Sequence, residues 1–270
     1  MRIFNKQVSL IDFLPYFCTR IYRRYILKKP EWQNWQNPAV PVLLYFGPDL
    51  KTYSQFGEDI ILSDIFKGKL NPGKFIDVGA NHPEELNNTY RLYLNGWRGV
   101  NIEPGEKMFK LLNERRPGDI NLKVGLGKNS GKAIFYEMDI DSVSTFNITE
   151  AENGQYHKNI VSKNEVDVLT LCDIHKTYFK DSYCDLLSVD VEGNNFEVLE
   201  GNDWDNFRPT CIIIEMPGPE RLEIIPFLYK KGYFLVFDNS LNGIFLDSGV
   251  GVIDKNPKNF MECLKPHSKA

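Results

Sequence analysis

GKFIDVGANHPEELNNTYRLYLNGWRGVNIE, residues 73–103, decides the fold. Lys74–Val78 is a short apolar strand, and Gly79-Ala80-Asn81 is a tight small-residue turn. A helical pattern is expected over residues 83–94, followed by a second apolar strand, residues 99–102, that ends on Glu103. Strand, crossover helix and strand make one unit of a parallel sheet, whose ligands sit at the carboxyl ends of the strands. A glycine after the first strand lets the backbone come close to a ligand. A carboxylate after the second strand can accept both hydroxyl protons of a ribose.

The turn itself narrows the ligand. A dinucleotide fold places G-x-G-x-x-G here so that a pyrophosphate lies on the helix N-terminus. This chain has Asp77-Val78-Gly79-Ala80-Asn81-His82, one glycine with an acid before it. An acid repels a diphosphate and attracts the α-ammonium of S-adenosylmethionine. An ordinary α/β turn without a ligand is the plain alternative.

Working outward, strands and helices alternate along most of the chain, which places it in the doubly wound α/β class. On the N-terminal side, residues 53–66 read as a helical run with Ser54 as its cap and Gly57 as an awkward interior residue. On the C-terminal side a helix is expected over residues 107–115 and a third strand over residues 120–125. Residues 133–138 and 167–169 suit short strands around a long polar loop, 139–159. Residues 184–191 (CDLLSVDV) form a buried strand leading to a helix near 194–200, and residues 210–216 (TCIIIEM) the next strand. A helix over 219–230 and strands at 233–238, 243–246 and 250–253 complete the pattern.

Three acids fall at strand ends. Asp190 and Glu192 stand at i and i+2 after the fourth strand and so should share a face, and Glu215 ends the neighbouring strand. Their repulsion should raise at least one pKa unless a cation or hydrogen bonds compensate. They can serve as a general base, as hydrogen-bond anchors for a sugar, or as oxygen ligands for a divalent metal such as Mg²⁺. Some of them can equally cap helices. His82, in the turn, is a second candidate for moving a proton.

With 42% hydrophobic and 25% charged residues, the 270-residue chain suits one large soluble α/β domain with an extension. The division expected is a basic, aromatic extension and proline-rich linker over 1–50, then one domain over 51–270. Residues 1–30 carry seven basic side chains against Asp12, a local +6, so a net charge of −4 leaves −10 on the remaining 240 residues. That distribution excludes a generally nucleic-acid-coating protein. Leu10, Leu14, Phe17, Ile21 and Tyr25 recur at helical spacing beside those bases, fitting either a helix docked on protein or one lying on an anionic membrane. Cys18, Cys172, Cys184, Cys211 and Cys263 lie far apart without C-x-x-C, which argues for a reducing compartment and against a zinc site. No secretory signal and no membrane-spanning run is expected, so the location implied is cytoplasmic, with peripheral contact at the inner face of the membrane as an option.

The stretches YSQFGEDIIL (53–62), FIDVGANHP (75–83), NTYRLYLNGWRGVNIEP (88–104), RPGDINLKVG (116–125), SVSTF (142–146), VDVLTL (166–171), LLSVDVEGNNFEVLEGNDW (186–204) and RPTCIIIEM (208–216) together resemble the FkbM family of S-adenosylmethionine-dependent methyltransferases. The resemblance implies a class I, Rossmann-like methyltransferase fold with a mostly parallel seven-stranded sheet. It implies that Asp77, Gly79 and Asn81 hold the methionine end of S-adenosylmethionine, that Glu103 holds the ribose, and that Gly125 and Leu126 flank the adenine. Gln55 and Ser144 become further cofactor contacts, and Asp190 faces the reacting methyl and the acceptor; from the residues themselves, His82 and Glu192 are further candidates for moving the proton. A sugar hydroxyl in a glycan, surface polysaccharide or natural product is the implied acceptor, with a divalent metal an option at Asp190, Glu192 and Glu215. Two rivals stand beside this reading: a nicotinamide-dependent oxidoreductase, disfavoured by the missing glycines, and a non-catalytic adaptor at a membrane.

Overall fold

The computed structural model describes residues 51–249, apart from 68, 70, 154–158, 181 and 182. The expected extension over 1–50 and the last strand at 250–253 lie outside the described residues. Strands β1 (Lys74–Val78), β2 (Arg98–Ile102) and β3 (Ile120–Leu122) alternate with helices α1 (Glu58–Ile65), α2 (Tyr90–Leu94) and α3 (Glu106–Arg115). A small sheet is formed by β4 (Gly125–Leu126), β5 (Gly131–Met138) and β6 (Ile160–Leu169), with α4 (Ile148–Asn153) between the last two. Then come α5 (Leu171–Ile174), β7 (Leu186–Val189), α6 (Asn195–Glu200), β8 (Cys211–Glu215), α7 (Arg221–Lys230), β9 (Tyr233–Asp238) and β10 (Asn242–Asp247).

The main sheet has seven strands in the order β3-β2-β1-β7-β8-β10-β9. All pairings are parallel except those of β10, which runs antiparallel to both β8 and β9. The strand order reverses between β1 and β7, and a cleft at such a switch point is where ligands sit. Alternate residues of the central strands feed opposite layers. Ile76, Val78, Leu187, Val189, Ile212 and Ile214 pack with Ile224 and Leu228 of α7, while Phe75, Leu186, Ile213 and Ile244 pack with Ile61, Leu62 and Leu92. Burial on both faces explains why these strands read as continuous apolar runs, each large side chain contributing roughly 1.5–3 kcal/mol. Cys184 and Cys211 are buried free thiols in these layers.

Several local expectations are corrected. The helix expected over 83–94 is confined to Tyr90–Leu94. Leu86 is left-handed at φ 54°, and the Asn87 side chain donates to the carbonyls of Ala80 and His82 at 3.1 and 3.2 Å, so the chain there wraps the turn instead of coiling. The third strand breaks after Leu122, and Gly125–Leu126 joins the small sheet, pairing parallel with Val168 and Leu169. The short strands at 133–138 and 167–169 are parts of a long antiparallel ribbon, Gly131–Met138 against Ile160–Leu169. Helix α1 starts only after Gly57, which is left-handed at φ 90°. Ser54 does cap this entry, its Oγ accepting the Gly57 and Asp59 N–H groups at 3.1 and 3.2 Å. Strand β7 stops at Val189 and Glu192 is left-handed at φ 54°, so Asp190 and Glu192 are not related by the strand pleat.

Candidate functional site

At the tip of β1, the N–H groups of Gly79 and Ala80 both donate to the Ile102 carbonyl, at 3.0 and 3.1 Å, which fastens the turn to β2. Gly79 has φ 77°, and a Cβ there would overlap the backbone carbonyl oxygen of Asp190. The glycine is therefore required by the approach of the chain beyond β7, whether or not a ligand is present. Asn81 is also left-handed, at φ 45°.

Glu103 clasps both neighbouring turns. Its Oε2 accepts the Asn81 N–H at 2.9 Å and its Oε1 the Gly105 N–H at 2.7 Å. Burial pushes its pKa up to about 7, against the two N–H donors that lower it. Each carboxylate oxygen has two lone pairs, so one on each remains for a pair of ribose hydroxyls. This geometry fits a nucleoside cofactor.

Asp77 is held in a polar network within the protein. Its Oδ2 accepts the Thr89 hydroxyl at 2.7 Å and the Asn87 amide at 3.5 Å, and Ser188 also donates to the carboxyl. Burial raises its pKa, opposed first by the Arg116 guanidinium and then by these donors. Arg116, fully buried, reaches Asp119 from Nε at 2.8 Å and Thr89 from a terminal nitrogen at 2.9 Å. The guanidinium lies 5.1 Å from the Phe75 ring centre and 5.0 Å from that of Tyr93. Asp119 in turn accepts the Gly99 N–H at 2.9 Å. Asp77 thus closes a polar brace behind the turn and shares a buried cation with Asp119. Sequence reasoning missed Arg116, whose partner Thr89 lies 27 residues away in the chain.

At the tip of β7, the Asp190 N–H donates to the Val78 carbonyl at 2.9 Å. Strand β8 runs parallel beside β7 with Val189 opposite Ile214, so Asp190 stands next to Glu215, the last residue of β8. Burial raises the Asp190 pKa to about 6; the neighbouring Glu215 carboxyl lowers it, and the carboxylates of Asp77, Glu58 and Glu220 raise it. Burial, then Asp190 and Glu192, hold Glu215 well above the usual carboxylate range. The expected repulsion is therefore present, and it raises both carboxyls. Asp190 Oδ1 is buried with no N–H or hydroxyl donor among the described residues. Glu58, fully buried, accepts the Phe56 N–H at 2.8 Å and the side chains of Asn239 and Asn242 at 2.9 and 2.8 Å, tying α1 to the β9–β10 hairpin.

The remaining expected residues are more peripheral to this chemistry. His82 Nδ1 accepts the N–H groups of Glu84 and Glu85 at 3.2 and 2.9 Å. The neutral ring then carries its proton on Nε2, a tautomer that can donate but has no spare lone pair for a base. Glu192 offers its backbone carbonyl to the Thr145 hydroxyl at 2.8 Å, which fastens the 142–146 loop to the acid edge. Ser144 Oγ accepts the Met138 N–H at 3.1 Å, closing the end of the ribbon. A Cβ on Gly125 would come within 2.5 Å of the Phe146 ring, and Leu126 is core, so both side-chain positions serve packing. Gln55 is half-buried in the turn before α1. Among the described residues no three His, Cys, Asp or Glu side chains converge as metal ligands.

A reversed strand order with one antiparallel strand next to the edge, a one-glycine turn and an acid after β2 together define a class I, S-adenosylmethionine-dependent methyltransferase. Residues 77–235 match the methyltransferase FkbM domain, and the chain belongs to that family. This removes the nicotinamide enzyme from consideration. Among curated proteins none matches the sequence. Three solved structures show weak likeness. A TehB-like SAM-dependent methyltransferase from Corynebacterium glutamicum is 12% identical, with 87% of this chain and 100% of that one covered and a TM-score of 0.36. A Pyrococcus horikoshii protein assigned to the RNA methyltransferases is 11% identical, with 71% and 83% covered and a TM-score of 0.37. The METTL16 methyltransferase domain is 13% identical, with 82% and 96% covered and a TM-score of 0.36.

Proposed function

We propose that this chain is an O-methyltransferase acting on a sugar hydroxyl of a glycan, surface polysaccharide or natural product. The observation that carries the reading is Asp190: a half-buried acid at the switch point whose buried Oδ1 lacks a donor among the described residues, across from a cofactor turn built around Glu103. When bound, S-adenosylmethionine supplies a methyl group on a sulfonium. The chain's own part is alignment, worth several kcal/mol, and removal of a proton. Glu103 accepts the ribose hydroxyls and the 79–82 turn seats the nucleoside end. Asp190 accepts the acceptor hydroxyl's proton on a carboxylate oxygen. His82 caps its own turn and leaves this role to Asp190.

A glycan acceptor agrees with the acidic charge of residues 31–270, which disfavours nucleic acid. Among the described residues no helix is long and apolar enough to cross a membrane. Placement in the cytoplasm, with the +6 segment over residues 1–30 bringing the enzyme to the inner membrane face or to a protein partner, is part of the same proposal. The test is methyl transfer from deuterium-labelled S-adenosylmethionine to a panel of glycans and free sugars, read by mass spectrometry with and without a chelator. Labelled methyl on a sugar oxygen is the expected result, and the chelator arm reads any metal requirement. Labelled methyl found only on nitrogen, or on nucleic acid, overturns the proposal.

A further inference from the structure

Residues 53–57 are held at both ends by two adjacent acids. Asp59 fastens the first end to α2: its Oδ2 accepts the Tyr53 N–H at 3.1 Å and the Arg91 Nε at 2.8 Å. The Tyr53 carbonyl also accepts the Asn87 N–H at 2.9 Å, which joins this end to the wrap around the cofactor turn. Glu58 fastens the second end. Its Oε1 accepts the side-chain amides of Asn239 and Asn242, at the β9–β10 turn, at 2.9 and 2.8 Å. Its Oε2 reaches back to the Phe56 N–H at 2.8 Å, a reversal that the left-handed Gly57 permits. Asn242 stands opposite Glu215 in the β8–β10 register, so this anchor lies at the ligand edge of the sheet. In that sheet β1 and β10 flank β7 and β8. A segment tied to the β1 turn at one end and to the start of β10 at the other therefore passes the ends of β7 and β8, where Asp190 and Glu215 lie. Phe56, in the middle of this segment, is half-buried yet joins neither hydrophobic layer of the described residues.

Resting on a sugar as the acceptor, we propose that Phe56 is a specificity-determining residue whose ring forms the apolar wall of the acceptor cleft. Glu58 is the positioning residue that holds it there through the backbone. The division of labour suits a sugar, which presents hydroxyls at its rim and C–H groups on its ring face. The acids at the strand ends meet the hydroxyls, and an aromatic side chain covers the C–H face, the usual mix of a small-molecule site. A rigid wall also lowers the ordering cost of binding, because the segment is fixed before the acceptor arrives. Glu58 is fully buried, and its charge strengthens the bonds that do this work. Glutamine cannot replace it: whichever way the amide lies, its NH₂ opposes either the Phe56 N–H or the two asparagine amides.

The test uses the full chain with Phe56→Ala, Phe56→Tyr, Glu58→Gln and the double variant Phe56→Ala with Glu58→Gln. Each is checked for folding by thermal melting and for cofactor binding by calorimetry with S-adenosylhomocysteine. The acceptor is the sugar of the same panel that the wild-type chain methylates fastest. Phe56→Ala is expected to raise the acceptor KM about 10-fold, the scale of one aromatic contact, with S-adenosylhomocysteine affinity unchanged. Phe56→Tyr, which keeps the ring, is expected to restore the wild-type KM. Glu58→Gln is expected to raise KM similarly, and the double variant no further than the worse single one, as for residues acting through one contact. Wild-type acceptor KM in Phe56→Ala overturns the inference. A loss of S-adenosylhomocysteine affinity in place of the KM effect also overturns it, since the segment would then serve the cofactor. Additive KM effects in the double variant overturn the role given to Glu58. Absence of labelled methyl on every sugar with the wild-type chain sinks instead the reading on which the inference rests, so the two failures are distinct.

Discussion

Asp77→Asn is the substitution that most sharply separates the brace seen here from a direct cofactor contact. Arg116 and Asp119 are both fully buried at the side chain and 2.8 Å apart, and Arg116 also reaches Thr89, which donates to Asp77 at 2.7 Å. Removing one partner of a buried charge pair typically costs about 3–5 kcal/mol, because the other charge is left uncompensated. Asp119 stays on Arg116 Nε, so the lower end of that range or slightly less applies, about 2–3 kcal/mol. That is a large part of a typical total stability of about 5–15 kcal/mol. Urea unfolding of Asp77→Asn, Arg116→Met and the double variant forms a cycle. The double variant is expected to cost little more than the worse single one, a coupling of about 1–2 kcal/mol, as for groups in one network. Additivity within about 0.5 kcal/mol would refute the brace. So would a loss of S-adenosylhomocysteine affinity in Asp77→Asn with unchanged stability, the result a direct ligand role requires.

Two further outcomes are expected. Cofactor affinity should fall as pH drops below about 7, where burial holds the Glu103 pKa, by up to ~10-fold per unit, and Glu103→Gln should flatten that slope in calorimetry. The sign for stability is opposite: a carboxyl raised above its ordinary value of 4.5 favours the folded state at low pH, and that contribution is lost as pH rises through about 7. Gly79→Ala places a Cβ onto the Asp190 carbonyl at φ 77°, so about 1–2 kcal/mol of backbone strain adds to about 1–3 kcal/mol of overpacking. Gly131→Ala, with no atom within 4 Å of its Cβ, is the control, and equal melting temperatures for the two would refute the close approach.

What could be read in advance follows from the range of the interactions. The strands were legible because burial on both faces leaves continuous apolar runs such as CIIIE and KFIDV. Glu103 and the Asp190–Glu215 edge followed from topology alone, since strand ends at a switch point converge wherever the loops go. Arg116 did not, because its bond to Thr89 spans 27 residues of sequence. Nor did Glu58, whose amide donor on Asn242 is 184 residues away. The overlong helix at 83–94 failed for a related reason. Leu86 and Asn87 carry no strong helix-breaking signal, and the left-handed bend exists because Asn87 has tertiary carbonyls to bind. The shared face assumed for Asp190 and Glu192 failed because the strand ends one residue before the first of them.

The two halves of the site solve the same electrostatic problem by different means. Asp77, in β1, is close enough to Asp190, just beyond β7, to raise that residue's cost of ionisation. Asp77 is balanced by a permanent cation, Arg116, locked between two aromatic rings. A fixed cation beside Asp190 would hold its pKa down and make it a poor base. No cation is among the main electrostatic neighbours of Asp190, and burial leaves its pKa at about 6, near the range in which a carboxylate accepts protons usefully at neutral pH. A diphosphate at this edge would meet carboxylates from three strand ends, whereas a sulfonium donor is drawn to them. The two acids are thus complementary: Asp77 belongs to the brace that fixes the turn, and Asp190, without a fixed cation, stays free to exchange a proton.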